Sequence, residues 1–141
     1  MELKDNLPDS YVALGRVYEK WGKLEDARKI LEEATKKFPS NADIKFELGR
    51  IVFNLKNNAE AEKLFNDVVK LVPNHANAHY SLGLVALQKQ DRVKALAEFK
   101  KTLEITGSNT ELEKIIKELE TQINSGTTVP AAVQTVPAAG Q

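Results

Sequence analysis

The chain has 141 residues, its 20 Lys and Arg are matched by 20 Asp and Glu, and it has no cysteine. That length suits one domain and a tail. The charge balance removes the strong field that would draw nucleic acid or an anionic membrane, and the missing thiols exclude disulfides and thiolate metal sites.

Met1-Glu2-Leu3-Lys4-Asp5 lacks the apolar core of a secretion signal, and the longest apolar run, near Leu82 to Leu87, is far too short to span a bilayer. The expected location is cytoplasmic, left open if the chain is a fragment of a longer protein. Residues 1–7 are mostly polar and expected to fray. Pro8 suits the first turn of a helix, where its missing N–H loses nothing. The first helix is predicted to run to Lys20 or Trp21 and to end at Gly22, which accepts the left-handed conformation of a C-cap. Leu24, Ala27, Ile30, Leu31 and Ala34 follow at mainly three- and four-residue steps and mark one face of a second helix. Lys36 and Lys37 favour its C-terminal dipole, and Phe38-Pro39-Ser40-Asn41 stops it and supplies a new cap. Helices are then predicted over Ala42–Leu55, Ala59–Val72, Ala76–Lys89 and Arg92–Ile105, with Asp91 as a cap and Gly107-Ser108-Asn109 as the closing break. A further helix over Thr110–Ile123 has an apolar stripe of Leu112, Ile115, Ile116, Leu119 and Ile123 opposite a charged face, as a terminal cap needs. Residues 124–141 repeat Val-Pro-Ala-Ala without helical periodicity and read as a flexible tail.

A period runs through these elements. Leu14-Gly15 recurs as Leu48-Gly49 and Leu82-Gly83, and 48−14 and 82−48 are both 34. Ala27 recurs as Ala61 and Ala95, Leu31 as Phe65 and Phe99, and Pro39 as Pro73. With Tyr11, Tyr18 and Ala34 in the first unit, this pattern resembles the tetratricopeptide repeat. The resemblance implies an all-α fold: an α-solenoid of three helix pairs (8–41, 42–75, 76–109) plus a C-terminal capping helix (110–123). Gly15, Gly49 and Gly83, with the small Ala27, Ala61 and Ala95, are expected to let neighbouring helices approach closely.

In the resembling family the first helix of each pair lines a concave surface. The partner-binding residues this implies are Arg16 and Glu19; Phe46, Arg50, Phe53 and Asn54; and Tyr80, Leu84 and Leu87. Phe46 and Phe53 lie off the stripe of Leu48, Val52 and Leu55, so the repeat core does not obviously require them. The expected ligand is a peptide or helix with apolar side chains, and Arg16 and Arg50 would pair with an acidic group on it. The alternative, that Phe46 and Tyr80 pack between adjacent helices, stays open. The clamp with which one subfamily holds a chaperone's C-terminal carboxylate would need Lys, Asn, Asn, Lys and Arg where this chain has Val12, Arg16, Glu47, Asn77 and Ser81, and none matches.

No catalytic residue, cofactor or metal is expected. His75 and His79 stand four apart and could share a helix face, but no acid close in sequence completes a metal site. No phosphate-cradling glycine loop or nucleophile motif is present. The function expected is a protein-interaction scaffold with a protein or peptide partner, no nucleic acid and no direct membrane insertion. The alternatives are a module that self-associates through its uncapped first repeat, and the soluble regulatory end of a larger bacterial protein, membrane-bound or not. The tail is also a candidate to dock into the groove of its own or a neighbouring chain.

Overall fold

The computed structural model describes residues 7–126. The expectations for the N-terminal segment before Leu7 and for the Val-Pro-Ala-Ala tail, including its docking, lie outside the described residues. Those residues form seven helices and no strand: α1 (Pro8–Lys20), α2 (Leu24–Lys37), α3 (Ala42–Asn54), α4 (Asn58–Leu71), α5 (Ala76–Gln88), α6 (Arg92–Thr106) and α7 (Thr110–Ser125). The chain divides into two compact units, Met1–Pro73 with α1 to α4 and Asn74–Gln141 with α5 to α7.

The helix starts have local causes. Asn41, Asn57, Asp91 and Asn109 each accept a hydrogen bond from the backbone N–H three residues on, which satisfies a donor that the first turn leaves unpaired. His75 does the same for α5 through Nδ1, 3.0 Å from the Ala78 nitrogen. The turns inside the three pairs repeat as well: Gly22, Lys56 and Gln90 have φ of 74°, 67° and 61°. Only the first of these is the glycine that such a conformation favours.

In the first unit, α2 folds back on α1, and α3 packs against α1, α2 and α4. Tyr11, Ala34 and Ile44 form a buried cluster with Val12, Ile30 and Phe38 against it. The close approaches expected at the glycines are present and graded. A Cβ added to Gly15 would lie 3.0 Å from Leu31, one at Gly49 2.7 Å from the Phe65 ring, and one at Gly83, in the second unit, 2.5 Å from the Phe99 ring. Phe65 and Phe99 are fully buried, and each such side chain contributes roughly 1.5–3 kcal/mol.

The structure departs from the expectation that the core does not need Phe46 and Phe53. Both are buried, and the Phe46 ring centroid is 5.7 Å from that of Phe65. The reason is the position of α3: with three helices around it, it buries a wide arc rather than one stripe. In the second unit, α5 packs on α6 and α6 on α7. The buried face of α7 carries Leu112, Ile116, Leu119 and Gln122, and the helix runs two residues beyond Ile123 before Gly126 ends it in the left-handed conformation.

Candidate functional site

In the first unit the charged residues expected to face a partner face one another. Arg16 on α1 donates from Nη2 to Glu47 Oε1 on α3 at 2.6 Å. Arg50, one turn beyond Glu47, reaches back to α1 and grips both oxygens of Glu19, each at 2.5 Å, while Nη2 also reaches Glu47 Oε2 at 3.1 Å. Asn54 Nδ2 adds a bond to Glu19 Oε1 at 3.3 Å. Arg50 and Glu47 are only 3% and 2% exposed. Burial works to lower the Arg50 pKa, but the hydrogen bond to Glu19 and the charges of Glu47 and Glu19 outweigh it, so the net shift is upward. The planar fork of arginine suits this bidentate grip. Two cations and two anions close a neutral chain between α1 and α3, with the Arg16 side chain, 47% exposed, as its outer end. Arg50 therefore already has its acidic partners within the unit.

In the second unit α5, α6 and α7 wall a cavity of about 310 Å³. Ala76, Asn77 and Tyr80 come from the start of α5, Thr102 and Thr106 from the end of α6, and Asn109, Glu111, Leu112 and Ile115 from α7 and its cap. The Tyr80 ring packs on Phe99, 5.3 Å between centroids, and still reaches the cavity. Burial, and then the negative charge of Glu111, push the Tyr80 phenol pKa up.

Of the nine expected partner-binding residues, Phe46, Arg50, Phe53, Leu84 and Leu87 are buried. Arg16 is exposed, and Glu19, Asn54 and Tyr80 are partly so. Only Tyr80 lines the cavity; Asn77, Thr106 and Glu111, which complete it, were not among the expected residues. Their signal was faint, because the cavity depends on how α7 meets α5 and α6. The histidines have separate tasks: His75 caps α5, and His79 Nδ1 lies 2.8 Å from Glu98 Oε2 on α6, a carboxylate 19 residues away in sequence. Among the described residues no group of three or more His, Cys, Asp or Glu is placed to hold a metal ion, and no helix is long and apolar enough to cross a membrane.

Comparison with known proteins bears on what these surfaces do. A family model described as tetratricopeptide repeat matches residues 12–76 and 57–110. No curated protein matches the chain in sequence. The first such domain of Spaghetti (RPAP3), bound to the HSP90 peptide SRMEEVD, is similar with a TM-score of 0.78 and 21% identity, over 83% of this chain and 93% of that one. A crystal structure of MamA is similar with a TM-score of 0.76 and 23% identity, over 87% and 71%. YrrB, described as having an unusual peptide-binding site, gives 0.71 and 27%, over 84% of this chain and 58% of its own.

Proposed function

The chain belongs to the tetratricopeptide repeat family, and from that membership we propose that it is a scaffold or adaptor that holds a peptide or helix of another protein against the first helices of its pairs. Repeats of this family are protein-interaction modules, and solved relatives bind peptides. The observation that carries the reading here is the cavity reached by Tyr80, an aromatic side chain that is partly buried by its own unit and partly available to a ligand. Arg16, exposed, and Glu19 and Asn54, partly exposed, are the polar counterparts in the first unit, while Phe46, Arg50, Phe53, Leu84 and Leu87 are buried.

The mode of the RPAP3 relative is not carried over. Its peptide is acidic, whereas this chain has Glu47, a buried carboxylate, at one position where the clamp would need a neutral donor, and Asn77 and Ser81 at two where it would need cations. Binding is the role proposed; Arg50 is paired with Glu19 and Glu47 within the unit.

Photo-crosslinking tests the reading. A crosslinking residue at Asn77 or Thr106 is expected to trap a partner, and one at the exposed Val93 on α6 is not. Thr106→Arg, which fills the cavity from an exposed position, should abolish the crosslink from Asn77 without changing the melting temperature. Equal trapping from Val93 would refute the reading.

One observation favours a second reading. Leu48 and Val52 are buried, yet Leu14 and Tyr18, 34 residues earlier, are only partly buried, and Val17 and Trp21 beside them are exposed. This uncovered face of α1 suits self-association. Sedimentation that depends on concentration, and is abolished by Val17→Lys with Trp21→Lys, would favour it.

A further inference from the structure

Resting on the groove reading above, we propose that the cavity between α5, α6 and α7 receives a lysine or arginine side chain of the partner, its aliphatic stem against Tyr80, Leu112 and Ile115 and its cationic head toward Glu111. The charge in the cavity has one sign, since Glu111 is the only charged residue in its lining. The hydroxyls there offer lone pairs rather than protons. Thr102 donates its proton to the Glu98 carbonyl at 2.9 Å, and Thr106 donates to the Thr102 carbonyl at 3.0 Å. The Asn77 side chain can turn its carbonyl oxygen to the same space.

The remaining wall is apolar, and the Tyr80 ring adds an electron-rich face. A carboxylate would meet the Glu111 charge and be disfavoured relative to a cation. A purely apolar side chain would cover acceptors without satisfying them, at a cost. A long aliphatic stem with a cationic tip satisfies both, the stem lying against Tyr80 and the head reaching Glu111. The Lys114 ammonium lies 3.9 Å from Glu111, but both side chains are more than 70% exposed, so water screens the pair and an incoming cation can displace it. The volume, about 310 Å³, suits one extended side chain.

The probes are n-hexylammonium, n-hexanol and n-hexanoate, titrated into the full chain and followed by the NMR shifts of Thr106, Leu112 and Ile115. Hexylammonium is expected to bind about fivefold tighter than hexanol, with hexanoate weakest. Glu111→Gln should erase the preference while the circular dichroism spectrum and melting temperature stay those of the wild type. Hexanol or hexanoate binding as tightly as hexylammonium overturns the proposal, as do shifts scattered away from these residues. The crosslinked partner separates this from the underlying reading. If Thr106→Arg loses the partner but hexylammonium shows no preference, the cation assignment alone is wrong. If the partner is retained by Thr106→Arg, the groove reading falls and this proposal with it.

Discussion

Introducing one methyl group at each repeat glycine should give three different outcomes, because the facing side chain differs. At Gly83 the new Cβ would lie 2.5, 2.8 and 2.9 Å from three atoms of the Phe99 ring, which is fully buried and rigid. Overpacking of that kind costs about 1–3 kcal/mol. Alanine recovers about 1 kcal/mol of helix propensity over glycine. With the ring unable to give way, Gly83→Ala is therefore expected to destabilise by up to about 2 kcal/mol. At Gly15 the contacts are the Cγ and both methyl carbons of Leu31 at 3.0 to 3.2 Å, wider than those to the Phe99 ring and able to give by a few tenths of an ångström. There the propensity gain should roughly cancel the crowding, leaving a change of about 0.5 kcal/mol or less in either direction. Gly49→Ala, 2.7 Å from Phe65, falls between. The repeats themselves suggest the rescue, since the first pair combines its glycine with Leu31 where the third has Phe99. Phe99→Leu alone should cost about 1–2 kcal/mol through the space it leaves. Added to Gly83→Ala it should cost almost nothing more, giving a coupling energy of about 1 kcal/mol or larger. Urea unfolding followed by circular dichroism, with midpoints compared at equal slope, measures all the terms. A Gly83→Ala variant no less stable than Gly15→Ala, or additive behaviour in the double variant, would refute the packing argument.

Arg50→Ala leaves Glu47 to Arg16 and Glu19 to Asn54 and should cost about 3 kcal/mol, whereas Glu19→Gln, at the better solvated edge, should cost about 1 kcal/mol; urea midpoints separate them. Tyr80 ionises less readily folded than unfolded, so its contribution is fully present below the ordinary tyrosine pKa of about 10 and is lost as pH rises through the higher folded value. The stability of the chain should fall more steeply at alkaline pH than that of Tyr80→Phe, as melting temperatures across that range would show. His75→Ala should cost about 0.5–1 kcal/mol by removing the cap of α5, and His75→Asn should restore it, read by thermal unfolding.

The repeat was legible because a helix pair imposes the same demands every 34 residues: glycine where a ring or leucine crosses, a small alanine in the second helix, and, from α3 onward, a capping side chain at each helix start. Helix limits agree with the expectation to within a residue or two, and Asn41 and Asp91 cap as the sequence suggested, while Asn109, expected only as part of a break, caps α7 as well. The site was less legible. A stripe argument assigns each helix one buried face, so Phe46 and Phe53 looked surplus to the core, but α3 is enclosed by three neighbours. Glu47 and Arg50 carried an available hint, opposite charges three apart inside an apolar stretch, which tends to mean a buried pair. The link from Arg50 to Glu19, and that from His79 to Glu98, had no such trace, since each joins different helices at distances set by packing.

The principal helix contacts within each unit join chain neighbours, the longest step being from α1 to α3. Few residues separate the groups that must meet, so little loop-closure entropy has to be spent before contacts begin to stabilise the chain. A fold built this way belongs with the rapid folders, on the scale of microseconds to milliseconds. Synthesis at about 5–20 residues per second is far slower. During translation the chain thus has time to collapse once Asn54 is clear of the ribosome, when α3 brings Ile44 to the Tyr11–Ala34 cluster that the first pair cannot close alone.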